Sequence, residues 1–226
     1  QDGEWRDAGD WYYSTLYPRE AERGLEDRED LYCPGVLSTV LKAGREWTLA
    51  CATEPVAVER ADAWAEGERR RREELAAAGR HLAGDDSQLA DLGAWLALSA
   101  DAFLARRGDA MSILAGYPWF SDWGRDAMIS IPGLCLVTGR VEEAGGVLRA
   151  FAAHQRDGLI PNRFPDYGGR IPLDHYNAAD ASLWFVEAVA ALADAGGEVE
   201  ELWPAVEAVI DGYREGTRFG IRLDGD

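Results

Sequence analysis

The chain has 226 residues, 47% of them hydrophobic, and a formal net charge of −18. That length and apolar content fit one large domain, or one and a half smaller ones, with a real core, and they argue against global disorder. The negative charge argues against nucleic acid and anionic membrane surfaces as partners, but it leaves a neutral polysaccharide open.

Residues 1–54 read as β structure. Trp11-Tyr-Tyr-Ser-Thr-Leu-Tyr17 and Glu46-Trp-Thr-Leu-Ala-Cys-Ala-Thr53 are rich in aromatic or β-branched residues, the composition of strands. The charged stretch Pro18 to Pro34 between them reads as a loop, and Pro34-Gly35 and Ala43-Gly44 are turn signals. So few strands are only marginally stable alone, so they are expected to close a larger antiparallel sheet. Residues 57–80 form a charged helical stretch. Arg69 to Arg72 are flanked by Glu66, Glu68, Glu73 and Glu74, so this is a solvated linker helix rather than a basic patch.

From Ser87 onward the pattern is helical. Asp85, Asp86 and Ser87 offer an N-cap, and Leu92, Trp95, Leu96, Ser99 and Phe103 are expected to line one face. A second helix is expected from about Arg125 to Val137. In a third, Ala144, Val147, Leu148 and Phe151 recur at helical spacing. A fourth, Ala178 to Asp194, is apolar nearly all round. A fifth places Val206, Val209, Ile210 and Tyr213 on one stripe, with Pro204 suited to its first turn. The third and fifth have a polar face, as outer helices do. The second and fourth do not, as expected of helices buried on every side. The connections before the second and fourth helices, Arg107–Gly124 and Arg156–Asn177, are long. In an antiparallel stack this puts both at one end, as in an (α/α) toroid with a central pocket.

Those two long connections lead into the chemistry. Tyr117-Pro-Trp-Phe-Ser-Asp-Trp-Gly-Arg-Asp126 and Tyr176-Asn-Ala-Ala-Asp-Ala-Ser-Leu-Trp-Phe185 set acids and hydrogen-bonding groups among aromatic rings where a helix starts. Aromatic faces match the C–H faces of a sugar, and Arg, Asp and Asn can fork onto adjacent hydroxyls. Trp123-Gly-Arg-Asp126, Gly158-Leu-Ile-Pro-Asn162 and Tyr176-Asn-Ala-Ala-Asp180-Ala, in that order, resemble the amylo-α-1,6-glucosidase domain of glycogen debranching enzymes over about residues 110–222.

That resemblance implies a mainly α fold: the first part of an (α/α)6 toroid, preceded by the last strands of an antiparallel β-sandwich domain. Residues 1–54 would end the sandwich, 55–86 would be a helical linker, and 87–226 would be the N-terminal part of the glucosidase toroid. The first residue is Gln, and Arg218–Asp226 reads as a strand or loop leading elsewhere, so a fragment of a longer protein is expected. Five of twelve toroid helices would leave apolar faces bare, and self-association is expected.

The function implied is inverting hydrolysis of α-1,6-linked glucose stubs, with glycogen, limit dextrin or malto-oligosaccharide as partner. Rivals are another toroidal exo-glycosidase of the glucoamylase or trehalase type, and a non-catalytic carbohydrate-binding fragment. Inverting hydrolysis needs a carboxylic acid and a second carboxylate roughly 6.5–9.5 Å away. Near the pocket the candidates are Asp122, Asp126, Asp166, Asp174 and Asp180. Asp180 is read as the acid, since apolar surroundings favour a protonated carboxyl; a helix-capping role is its alternative. The Tyr-Asn-x-x-Asp-Ala segment matches the family motif that supplies the catalytic aspartate. The family's general base lies in later helices, so the isolated chain is expected to be inactive. Arg125 and Asp126 read as a sugar clamp or as a capping pair, and Trp119 and Trp123 as stacking platforms or core. His175, Tyr176 and Asn177 are further contacts, and Asn162 is expected to shape its loop.

No cofactor is expected. Asp122 and Asp126 are spaced like metal ligands, but Arg125 lies between them and no His or Cys joins them. Gly145-Gly146 and Gly168-Gly169 lack the flanking pattern of a phosphate loop. Cys33, Cys51 and Cys135 are odd in number without CxxC spacing, which points to reduced thiols and a cytoplasmic protein. No signal peptide or spanning apolar run is evident.

Overall fold

The computed structural model describes residues 3–84, 86–116, 120–165 and 169–224. Two compact units divide the chain, residues 1–65 and 66–226.

The first unit is built on an antiparallel ribbon of β1 (Gly3–Leu16) and β2 (Arg28–Thr39), connected through the short helix α1 (Pro18–Glu22). Trp11 pairs across the ribbon with Tyr32, their rings 5.2 Å apart. The register shifts twice, between Asp7 and Asp10 and between Tyr12 and Thr15. Ser14 sits in the second bulge at φ 54°, and the Asp30 carboxylate accepts its N–H at 2.8 Å. No residue of either strand is buried. Two expectations are corrected here. Glu46–Thr53 forms no strand, and the partner of the first strand lies largely within the stretch read as a charged loop. On a ribbon open on both faces, Arg28, Glu29 and Asp30 remain hydrated, so apolar alternation is not required and the pattern gives no signal.

The helix α2 (Ala61–Leu82) crosses into the second unit and is followed by α3 (Ser87–Asp101). The Asp86 carboxylate caps α3 by accepting the N–H groups of Gln88 and Leu89. The buried face of α3 consists of Ala94, Ala97 and Ala100, whereas Leu92, Trp95 and Leu96 are exposed, opposite to expectation. The reason is the close approach of α2 and α3 at Gly79 and Gly93, where a β-carbon on Gly79 would lie 2.2 Å from the Gly93 carbonyl oxygen. Backbones that touch leave room for small side chains only.

The connection expected after α3 is instead a three-stranded antiparallel meander of β3 (Leu104–Arg107), β4 (Ala110–Gly116) and β5 (Phe120–Asp122). Arg107 pairs with Ala110, leaving Gly108-Asp109 as a two-residue turn with Gly108 at φ 61°, the geometry a tight hairpin demands. Four helices follow: α4 (Gly124–Ile131), α5 (Val141–Ala152), α6 (Ala179–Asp194) and α7 (Trp203–Glu215). The second expected helix thus ends as an α-helix at Ile131, and a π-helical turn, Pro132–Leu136, carries the chain on. Pro132 offers no N–H for the regular ladder.

Ala144, Val147, Leu148 and Phe151 of α5 and Val206 and Val209 of α7 are buried as their spacing required, together with Met128, Ile131, Phe185 and Leu192, whereas Ile210, expected on the same stripe of α7, is exposed and Tyr213 half-buried. Fully burying each large side chain contributes roughly 1.5–3 kcal/mol. Phe151 stacks on Phe164 at 4.4 Å between centroids, fastening the loop after α5 to the core. The expectation that α4 and α6 are covered on every side is corrected: Ile129 on α4 and Leu183 and Trp184 on α6 are exposed. Each therefore has one face that no described residue covers. Among the described residues no helix is long and apolar enough to cross a membrane.

Candidate functional site

The helix α4 begins without a cap of its own. Its N-cap residue is Trp123, extended at φ −112°, ψ 131°, with no side-chain bond to the helix. An indole cannot accept the orphan N–H groups of a first turn. They are met from the Gly158–Asn162 loop instead. The Gly124 N–H donates to the Asn162 carbonyl oxygen at 3.0 Å, and the Arg125 N–H donates to Asn162 Oδ1 at 3.1 Å, 37 residues away. Gly124 is required for this contact, because a β-carbon there would lie 2.4 Å from the Pro161 carbonyl oxygen.

The same loop reaches the second motif. The Asn162 N–H donates to the His175 carbonyl oxygen at 2.7 Å. Nδ1 of His175 lies 2.9 Å from the Arg163 carbonyl oxygen, so that nitrogen carries the proton. The Ile160 N–H donates to Ser182 Oγ of α6 at 2.8 Å. All three motifs are thereby brought together, and the N-termini of α4 and α6 start side by side. Across them Arg125 Nη1 donates to Asp180 Oδ2 at 3.2 Å, with each side chain 46% exposed.

The remaining candidates have separate surroundings. Asp126, half-buried in the first turn of α4, accepts no hydrogen bond among the described residues. The Trp123 ring lies under the Arg163 guanidinium at 5.6 Å, a cation–π contact. Asn177 is exposed and His175 half-buried. Tyr176 is buried, and its hydroxyl donates to the His154 carbonyl oxygen at 2.9 Å. Burial pushes its phenol above its ordinary pKa, so it remains a donor. Asp174 is exposed in the turn Leu173–Tyr176. Trp119 and Asp166 lie outside the described residues. Tyr213 of α7 donates to the Ala179 carbonyl oxygen beside Asp180, and burial raises its phenol too.

Asp122 stands apart from the other carboxylates. It is 1% exposed and accepts from Ser112 Oγ at 2.9 Å and from Arg107 Nη1 at 3.1 and 3.2 Å. Arg107 also donates to the Pro165 carbonyl oxygen. A carboxylate so enclosed holds the meander to the loop that carries Asn162. The roles of Asn162, Arg107 and Ser112 were missed in the sequence. The one available signal was that Trp123 cannot cap the helix it precedes, so a partner had to come from elsewhere. Among the described residues no group of three or more His, Cys, Asp or Glu side chains is placed to hold a metal ion.

A carboxylate half-open to solvent with a guanidinium beside it, next to a second carboxylate that accepts no hydrogen bond among the described residues, makes a surface suited to vicinal hydroxyls. Comparison with known proteins points the same way. Residues 98–226 match the family described as amylo-alpha-1,6-glucosidase, and residues 1–48 match the glycogen debranching enzyme N terminal family. A stretch of 83 residues is 46% identical to the glycogen debranching enzyme of Saccharomyces cerevisiae (strain ATCC 204508 / S288c). It covers 34% of this chain and 5% of that enzyme, so the chain spans a small part of the length of this relative.

Proposed function

Because the chain belongs to the amylo-alpha-1,6-glucosidase family, we propose that it supplies part of the active site of a glycogen debranching glucosidase. The reaction is inverting hydrolysis of α-1,6-linked glucose stubs on glycogen or limit dextrin. The observation that carries this reading is the approach of Arg125 Nη1 to Asp180 Oδ2 at 3.2 Å between two helix starts whose own N-cap residues supply no side-chain cap.

Asp180 is the general acid. Arg125 donates to its Oδ2, and Oδ1 accepts no hydrogen bond among the described residues. A glucose hydroxyl that takes the guanidinium would free the carboxylate to take up a proton from solvent and pass it to the glycosidic oxygen as the leaving hydroxyl departs. Arg125 and Asp126 together offer donors and acceptors to neighbouring hydroxyls. Trp123 and Trp119 provide faces for the sugar ring, with His175 and Asn177 at the rim. Tyr176 acts from beneath, holding the motif to His154. The general base is assigned to later helices of an (α/α)6 toroid, of which residues 87–226 form the first part. Residues 1–54 are the end of a β-sandwich domain, and 55–86 link the two.

The test is glucose release by the full-length protein from a branched limit dextrin, compared with trehalose and linear malto-oligosaccharide, with the anomer followed by NMR. Release of β-glucose from the dextrin is expected. Preference for trehalose or the linear chain would transfer the protein to another toroidal glycosidase. Binding without release of sugar would leave a carbohydrate-binding role.

A further inference from the structure

The first turn of α4 carries the clamp, yet its own sequence does not fix where that turn sits. Both of its leading N–H groups end on one residue of a distant loop, Gly124 on the Asn162 carbonyl and Arg125 on the Asn162 side chain. The Asn162 N–H is in turn held by the His175 carbonyl, one residue before the Tyr176–Asp180 motif. One asparagine therefore bonds to both segments whose side chains meet in the Arg125–Asp180 pair. The contact at Gly124, closed to any β-carbon by the Pro161 carbonyl oxygen, fixes the spacing on one side. The Ile160 bond to Ser182 fixes it on the other.

We propose that Asn162 is a positioning residue that sets the Arg125 guanidinium against Asp180 by capping α4 from the loop that also holds His175. In the catalytic arm this rests on the debranching reading given above; in its geometric arm it does not. Asn162 need not touch the sugar. It acts because Oδ1 fixes the Arg125 backbone, and a misplacement of about 1 Å in such a constellation can cost about a hundredfold in rate. Only the acceptor is required, so aspartate, which has the same length and an acceptor at the same place, would substitute; a negative charge there also suits a helix N-terminus.

Two measurements on the full-length protein test it. Amide hydrogen exchange at Arg125 reports the cap directly, whatever the protein catalyses. Asn162→Ala is expected to speed that exchange at least tenfold, and Asn162→Asp to restore it. Asn162→Leu, nearly isosteric and without an acceptor, takes the place of the alanine variant if that variant fails to fold. Unchanged exchange at Arg125 would overturn the inference. The second measurement is kcat and KM on limit dextrin for N162A, R125A and the double variant. N162A is expected to lower kcat/KM about ten- to a hundredfold, N162D to recover it, and N162A to cost little more once Arg125 is gone. An equal further loss in the R125A background would make Asn162 a general support of the fold and overturn the assignment. If the unsubstituted protein releases no glucose, the debranching reading fails, and the exchange result still decides the role of Asn162.

Discussion

The ribbon of the first unit and the helices of the second hold together by different means. Along β1 and β2 no side chain is buried, and order comes from the backbone ladder and from cross-strand pairs such as Trp11–Tyr32. In the helical unit Phe151, Leu148, Ile131 and Phe185 are sealed from solvent in one cluster. The lesson concerns where precision can reside. A polar constellation with ångström tolerances needs supports that cannot move, and only the second unit has them. Along the ribbon every described side chain of β1 and β2 stays at least partly open to solvent.

Thiol chemistry separates the two regions most widely. Cys51 is exposed and Cys135 buried, and burial pushes the Cys135 thiol up to about 11. With a maleimide followed by mass spectrometry, Cys51 should label at once. Cys135 should wait for unfolding of the helical unit, roughly 10³–10⁶ times more slowly. Equal labelling would mean that the helical core is open.

Next in size is the chemical step. Asp180→Asn in the full-length protein keeps the shape and removes the transferable proton, so kcat on dextrin should drop about 10²–10⁴-fold. Glucosyl fluoride, whose leaving group needs little protonation, should be spared, and Trp11→Ala should leave both rates alone. Equal loss on both substrates would make Asp180 something other than the acid.

Stability should show the same division. Phe151→Ala removes a fully buried ring stacked on Phe164 and is expected to cost about 3–5 kcal/mol by urea denaturation. A value below about 1 kcal/mol would mean that the core collapses around the gap.

A smaller effect belongs to Asp101, which Arg71 and Arg140 meet at 2.7–2.8 Å. Hydrogen bonds from Arg71, and the charge of Arg140, hold its carboxyl below the usual range. A depressed carboxyl stabilises the fold above about pH 4. That contribution should fade as pH falls through the lower, folded value. Asp101→Asn should cost about 1.5–3 kcal/mol at neutral pH and progressively less as the pH is lowered through the folded value. A cost independent of pH would deny the ion pair its role.

The smallest effect is expected in the ribbon. Trp11→Ala removes one cross-strand pair and should change stability by about 0.2–1 kcal/mol. A larger loss would show that the ring is covered in the full-length protein.

How much of this the sequence discloses depends on how local each cause is. The buried stripe of α5 repeats within one helix, so Ala144, Val147, Leu148 and Phe151 could be assigned from spacing alone, and all are buried. The hydrophobic face of α3 misled for the converse reason. Its burial is decided by the crossing at Gly79 and Gly93 on two helices, not by Leu92 or Trp95. The β3–β4 hairpin was hidden because two residues, Gly108 and Asp109, make its whole turn. In the site, the two motifs were legible as helix starts. Asn162 was not, since its bond to Arg125 spans 37 residues and no periodicity carries such information.

The side chains of the Arg125–Asp180 pair are each half-open to solvent, and a glucan, the substrate proposed above, would bring no charge of its own. Long-range attraction could not then guide such a ligand, and ionic strength would act through the Arg125–Asp180 pair. Added salt weakens that pair, so Arg125 and Asp180 separate more readily for incoming hydroxyls. Affinity for a neutral sugar should then rise slightly with salt, where a charged substrate would lose its hold.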